Sequence, residues 1–383
     1  MRVAFARRQS GQPFHSGSHL IASVTNMTAP QQSIRTEPHP VCQLCGSIGD
    51  VLYEGLEDRL FTVPGRWSFR RCSNPACRHV WLDPQPIPAD LPLIYEDYYT
   101  HGLAREKTRP FTATWLLRNL YKFGYDAFVR LSGLAHERKA AYEMYVGNRP
   151  PGRLLEIGCG SGQRLVHFAA KGWIVQGQDV DAKAVTHARA STGLPVHLGP
   201  IETLPKSAGL FDAVIMHHVI EHVPDPAALL RQVVTLMTPN GILVAITPNI
   251  TSINHRRFQE SWLALDPPRH LHLFSPSTLL NTAQGAGFRH ARVRTSAVHA
   301  DGLIRASLEI ERAGRFKITN PGAPSLRVGI QTILLQIEAM IKHKLDPDSG
   351  EECVLMAETN ARTPEVDEAI NWGNTRRKDC GSH

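Results

Sequence analysis

Between residues 152 and 248 one pattern recurs: a short aliphatic run, a turn, then a stretch with helical spacing. Arg153 to Ile157 reads as a strand, Gly158 to Gly162 as a glycine loop, and Gln163 to Lys171 as a helix stopped by Gly172, in the position past a helix end where glycine is favoured. Trp173 to Gln178 and Ala182 to Ser191 give the next strand and helix, and Val196 to Leu198 and Phe211 to Met216 two further strands. Asp225 before Pro226 predicts a capped helix running to Leu236, and Pro239-Asn240-Gly241 a turn into a fifth strand, Ile242 to Thr247. Such alternation buries both faces of its strands only in a doubly wound, mostly parallel sheet. Ser275 to Gly287 adds a capped helix, Arg289 to Ser296 and Glu352 to Asn360 the last of seven strands, and Leu303 to Arg312 and Leu326 to Leu345 inserted helices.

With 383 residues the chain exceeds what that sheet needs, since single cores stop growing near ~250–300 residues. A second part is expected upstream. Residues 1–39, rich in Ser, Gln, Pro, Thr and His without periodicity, read as a disordered leader. Its arginine-bearing, acid-free start has the character of a weak organelle presequence, and Met27 is a second candidate initiator. Residues 40–100, dense in Cys, Trp, Tyr, Pro and Gly, read as a small loop-rich module, and 101–149 as a helical linker or lid, with Leu116, Leu120, Phe123, Phe128 and Leu131 on one face. The sheet domain then occupies 150–362 and a tail 363–383.

The net charge of +7 suggests a nucleic-acid partner until it is located. Residues 1–35 hold four arginines and no acid, and the last eight residues three bases and one acid, which leaves the body at +1. Nucleic acid is thereby disfavoured as a partner of the folded part. No apolar run reaches the ~20 residues that span a bilayer; Trp115 to Leu134 carries Arg118, Lys122, Asp126 and Arg130 and reads as an amphipathic helix, with a membrane-surface helix as the alternative. Seven cysteines and no clear secretory signal point to the thiol-reduced cytoplasm. Nothing in the sequence fixes the oligomeric state.

At the first strand-to-helix corner stand Glu156, Gly158, Cys159, Gly160 and Gly162. Glycine lets the backbone turn sharply there and brings main-chain amides against a ligand. A nicotinamide-binding loop wants glycine or alanine at the sixth position, which here is Gln163. Asp179, at the end of the second strand, is placed to accept from both hydroxyls of a ribose. In these motifs, and in Gly177-Gln178-Asp179-Val180-Asp181, Phe211 to Val214 and Leu236 to Ile242, the sequence resembles a class I S-adenosylmethionine-dependent methyltransferase. The resemblance implies a Rossmann-like sheet and S-adenosylmethionine as cofactor. It places Glu156, Gly158, Cys159, Gly160 and Gly162 under the methionine part, Asp179 and Val180 at the ribose, Ile201 and Glu202 near the adenine, and Met216 and His217 along the site from the fourth strand.

His217-His218-Val219-Ile220-Glu221-His222 follows that fourth strand. The string matches the inverted zinc-protease pattern H-x-x-E-H, but Pro224 and Asp225 interrupt the long helix that pattern needs. Two roles stay open. His222 or His218 is a candidate base for the acceptor's proton, oriented by Glu221; alternatively His218, Glu221 and His222 hold a divalent metal that carries an acceptor hydroxyl. The E-H pair is similar to that of ubiquinone-type O-methyltransferases and small-RNA 2′-O-methyltransferases, which use such a metal and have a carboxylate where this chain has His218. His270 and His272, before the helix that starts at Ser275, lie on a loop that could reach the same edge.

Cys42 and Cys45, then Cys72 and Cys77, make C-x2-C, 26 residues, C-x4-C. Four thiolates in two close pairs suit a tetrahedral, structural Zn2+ with no open position, and Gly46 permits the tight turn of a knuckle. Zinc-ribbon modules ahead of such a domain resemble those of bacterial methyltransferases acting on nucleotide sugars and other small hydroxylated metabolites. The resemblance implies methyl transfer to an oxygen, or a carbon, of a small sugar-like acceptor, with Tyr95 to His101 laid over it. An RNA or other macromolecular methyltransferase and a non-catalytic cofactor-binding scaffold are the alternatives.

Overall fold

The computed structural model of the protein describes residues 33–95, 124–125, 129–130, 133–318 and 324–359. Thr36–Glu37 (β1) pairs with Gln85–Pro86 (β5), while Gly49–Leu56 (β2), Trp67–Cys72 (β3) and Val80–Leu82 (β4) form an antiparallel meander. Leu134–Tyr142 (α1) leads into the large domain. There Arg153–Ile157 (β6), Gln163–Ala170 (α2), Ile174–Asp179 (β7), Ala182–Thr192 (α3), Val196–Leu198 (β8), Phe211–His217 (β9), Pro226–Thr235 (α4) and Met237–Pro248 (β10) alternate as the hydrophobic periodicity requires. Ile253–Phe258 (α5) and the two-residue strand His272–Leu273 (β11) follow, then Pro276–Gly285 (α6), His290–Ser296 (β12), Ala300–Ala313 (α7), Leu326–Leu345 (α8) and Glu352–Glu358 (β13).

The large sheet has seven strands in the order β12-β13-β10-β9-β6-β7-β8, with β13 antiparallel to both its neighbours. Its central strands carry continuous apolar runs, Ala213 to Met216 and Ile242 to Ile246, because helices cover both faces. On one face Ala213, Ile215, Val244 and Ile246 meet Leu165 and Phe168 of α2 and Val185 and Ala188 of α3. On the other, Val214, Met216, Leu243 and Ala245 meet Leu229, Leu230 and Val233 of α4 and Leu279 and Ala283 of α6. Asp225 and Ser275 cap α4 and α6 as the sequence predicts. Among the described residues no helix is long and apolar enough to cross a membrane.

The structure departs from sequence expectation in two places. The leader does not reach residue 39: Thr36–Glu37 is held in β1, and Arg35 clamps the buried Asp90 with Nε and Nη2 at 3.1 and 2.6 Å. Pro239-Asn240-Gly241 is no free turn but a register shift inside the longer β10, where Gly241 lies too close to the Thr238 and Phe211 carbonyls for any side chain. Residues 1–32 of the expected leader, 101–123 of the expected linker, Tyr98 to His101 and the tail lie outside the described residues.

The cysteine-bearing segment shares its sheet with the large domain. β11 pairs antiparallel with β4, His272 opposite Trp81 and Leu273 opposite Val80, completing the order β11-β4-β3-β2. A third core spans both: Trp67, Phe69 and Leu82 pack with Phe258, Trp262, Leu271, Ile304 and Leu308. Inside it Arg269, fully buried, donates to Asp58 through Nη1 and Nη2 at 2.8 and 2.7 Å and to Asp266, and its guanidinium lies 4.7 Å from the Phe61 ring centroid. Removing one partner of such a buried pair strands a charge. Asp58→Ala is therefore expected to lower the unfolding free energy by about 3–5 kcal/mol in urea denaturation, whereas replacing Arg269, Asp58 and Asp266 together with apolar residues should recover much of that loss.

Candidate active site

β6 is the strand from which the chain winds both ways, to β7 on one side and, after β8, to β9 on the other. Ligands of open α/β sheets sit in the crevice that this reversal opens at the carboxyl ends. The glycine loop follows β6 at that point, with Gly158, Gly160 and Gly162 all left-handed at φ 67°, 51° and 73°. Gly177 on β7 lets the loop pack down: a Cβ there would sit 2.8 Å from Cys159 Sγ and 2.7 Å from Leu165. Cys159 itself is buried filler, its amide bonded to the Gln178 carbonyl, and burial pushes its thiol well up.

Asp179 ends β7 beside the loop. Its Oδ2 accepts from the Gly160 amide and its Oδ1 from the Asp181 amide, each at 2.9 Å, while burial pushes its carboxyl above the ordinary value. Each oxygen keeps a further lone pair for a hydroxyl donor. Val180 next to it is 70% exposed, an apolar side chain at the crevice mouth. Glu156 is buried; its Oε1 takes Nη1 of Arg164 at 2.8 Å, and burial, opposed by that arginine, raises its carboxyl to about 7. Ile201 is buried in a single turn of 3-10 helix and Glu202 beside it is exposed. Met216 does not line the crevice: the two-residue period of β9 turns it into the core under α4 and α6, so of the expected pair only half-buried His217 shows surface there.

Past β9 the chain makes one 3-10 turn, Ile220–His222, with Ile220 sunk in the core. The turn disposes the histidines differently from sequence expectation. His218, at φ 54°, lies between two buried carboxylates, Nδ1 3.0 Å from Glu221 Oε1 and Nε2 3.1 Å from Glu352 Oε1. Burial opposes its charge, but these two hydrogen bonds outweigh burial and carry its pKa to about 10. With both ring nitrogens engaged by carboxylates, His218 stands apart from the trio that Glu221 forms with His222 and His270, and its ligand atoms group instead with those of His217 and Glu352. Glu221, fully buried, is held ionised, at about 2, by the same partner despite its burial.

His270 takes the place that sequence analysis offered His218. The loop before β11 runs alongside the 3-10 turn, the Leu271 amide donating to the Glu221 carbonyl at 2.8 Å. One oxygen or nitrogen from each of Glu221, His222 and His270 falls within 4.8 Å of the others. His222 places Nδ1 3.0 Å from the Arg269 carbonyl and 3.0 Å from the Tyr95 hydroxyl, and His270 places Nδ1 2.7 Å from the Ala264 carbonyl. A carbonyl only accepts, so both rings carry their proton on Nδ1 and offer the Nε2 lone pair. Burial holds both imidazoles neutral, down to about 4. Glu221 Oε2 is buried with no hydrogen-bond partner among the described residues. His272 is elsewhere, its Nδ1 3.1 Å from Nε2 of the buried His79 in the smaller sheet.

Two functional neighbours were not singled out by sequence analysis. Glu352 at the start of β13 bridges His218 and His299, its Oε2 3.0 Å from His299 Nδ1, and Arg269 supplies the carbonyl that orients His222. The one signal for Glu352 is an acidic pair, Glu351-Glu352, opening an otherwise apolar strand.

At the other end of the smaller sheet Cys42, Cys45, Cys72 and Cys77 converge, all four sulfurs within 4.8 Å of one another. Sγ of Cys42 and Cys77 are 3.7 Å apart and of Cys45 and Cys72 3.3 Å, close to the ~3.8 Å edge of a tetrahedron with ~2.3 Å Zn–S bonds. Gly46, at φ 76°, makes the knuckle, Trp81 packs against the cluster, and no disulfide joins any of the six described cysteines.

A family model for a methyltransferase domain matches residues 127–292. A ubiquinone biosynthesis O-methyltransferase of Caulobacter sp. is 36% identical over 132 residues, 32% of this chain and 52% of that protein. Another, from Psychrobacter arcticus, is 32% identical over 148 residues, 37% of this chain and 53% of that protein. The chain thus spans about half the length of the curated relatives it matches. Among solved structures, a SAM-dependent methyltransferase from Archaeoglobus fulgidus aligns with a TM-score of 0.38 and 18% identity, over 65% of this chain and 100% of that one. The matched region carries the glycine loop, Asp179 and the reversal of strand order, and over it the chain is similar to S-adenosylmethionine-dependent methyltransferases.

Proposed function

We propose that the protein transfers the methyl group of S-adenosylmethionine to an oxygen of a small hydroxylated acceptor, in the cytoplasm. The observation that carries this is the convergence, on one sheet edge, of a left-handed glycine loop and Asp179 with the neutral His222–His270 pair and Glu221. When bound, the cofactor supplies an electrophilic methyl on a sulfonium. The backbone at Gly158, Gly160 and Gly162 and the carboxylate of Asp179 hold it, with Val180, Ile201, Glu202 and His217 around them. His222 Nε2 takes the acceptor's proton, its tautomer fixed by the Arg269 carbonyl. Oxygen rather than carbon is favoured by the named O-methyltransferase relatives. A small acceptor, with sugar-like molecules the first class to test, is favoured over nucleic acid by the near-neutral body.

Asp179→Ala should weaken S-adenosylmethionine binding roughly tenfold or more in calorimetry, the loss of charge-assisted hydrogen bonds, with an unchanged far-UV circular dichroism spectrum. Unaltered affinity would move the cofactor away from β7.

A second reading of the same residues is favoured by the bare Glu221 Oε2: Glu221, His222 and His270 would hold a divalent metal, which would supply Lewis acidity to an acceptor hydroxyl. His222→Ala should cut turnover by about 10²–10⁴ with cofactor affinity retained. Chelation separates the readings, since loss of turnover restored by added magnesium or manganese supports the metal, and indifference to chelator supports the base.

The four cysteines are proposed to hold one structural zinc. Elemental analysis is expected to find one zinc per chain, released in Cys42→Ser with a lowered Tm; a metal-free protein of unchanged Tm would remove zinc from the account.

A further inference from the structure

α8 carries large aliphatics on both of its faces. Towards the body it turns Val328, Gly329, Thr332, Gln336 and Ala339, with Leu335 and Met340 packed against the core and the Gln336 amide donating to the Ala297 carbonyl at 2.9 Å. Away from the body it turns Leu326, Ile330, Leu334, Ile341 and Leu345, which are 48–81% exposed. Steps of four, four, seven and four residues set them along one face of a 20-residue helix about 30 Å long. In water such an exposed row is unfavourable, because large aliphatics lose most by exposure. It is the face of a helix that lies on a lipid surface, where the aliphatics enter the headgroup and acyl boundary.

Charge narrows the occupant. The exposed face is bordered by Arg327, Lys342 and Lys344, and its one acid, Glu338, is paired with Lys342 at 2.6 Å. A second copy of this face would set bases against bases, whereas anionic headgroups complement them. The helix is amphipathic towards its surroundings without being apolar enough to cross a membrane. We infer that the outer face of α8 docks on the surface of an anionic lipid bilayer. The loop after α8 leads directly into Glu352, whose partner His218 borders the candidate active site, so docking sets that sheet edge near the headgroups. The inference stands independently of the methyl-transfer reading.

The test is co-sedimentation of the full chain with vesicles of phosphatidylcholine plus phosphatidylglycerol, and with vesicles of phosphatidylcholine alone. The protein should pellet with the mixed vesicles, about tenfold less with the neutral ones, and less again as salt is raised. Leu334→Glu with Ile341→Glu should abolish pelleting while leaving the circular dichroism spectrum and Tm unchanged, because both side chains are already in solvent. A doubly substituted protein that still pellets overturns the inference. So does a wild-type dimer that the same substitutions dissociate, which makes a second copy the cover. So does a wild-type monomer that pellets with neither vesicle.

Discussion

The buried guanidinium of Arg269 is the contact on which the rest of the candidate active site depends. Desolvating a guanidinium costs several kcal/mol, and two carboxylates, one from each part of the chain, offset that cost: Asp58 from the segment after β2 and Asp266 three residues upstream of the arginine itself. Satisfying that charge fixes the path of the whole loop from Asp266 to β11. The Arg269 carbonyl then meets His222, the next residue presents His270, and the next strand pairs with β4. A charge far from any reacting atom thus determines which imidazole nitrogens face the crevice.

Electrostatics divides the four neighbouring histidines into two kinds. His218 lies between Glu221 and Glu352 and is held charged, whereas half-buried His217 and His222 and buried His270 lose hydration without a comparable carboxylate contact and are held neutral. The charged one serves its carboxylates; it keeps Glu221 ionised and turns one of its oxygens away from the crevice, leaving the other bare. The neutral ones keep lone pairs. One short segment therefore carries both an anion and a neutral imidazole without the two cancelling each other.

Much of this was legible in the sequence because it is written locally. The glycine loop at 158–162, the Asp225-Pro226 and Ser275 caps and the period of each strand depend on residues within a turn of one another, and the seven-stranded sheet follows from them. What was hidden depends on distance along the chain. Nothing near His218 announces Glu352, 134 residues away, so a histidine held as a cation reads the same as a free base. His270 and His272 are equivalent in sequence, and only the pairing of β11 with β4 sends one to the crevice and the other to His79. Met216 is the exception, since the alternation of β9 already places it on the face of Val214, in the core.

β11 contributes only two residues, yet it removes an open sheet edge from the cysteine-bearing segment and takes that segment's hydrogen bonds as its own. The boundary drawn by composition near residue 100 is therefore not a boundary of cooperativity. Separated from the large domain, the cysteine segment would lose its edge strand, and the large domain would keep Arg269 without Asp58. The two parts share a sheet and a buried ion pair, so exchange of either for a homologous module would have to carry the loop from Asp266 to Leu273 with it.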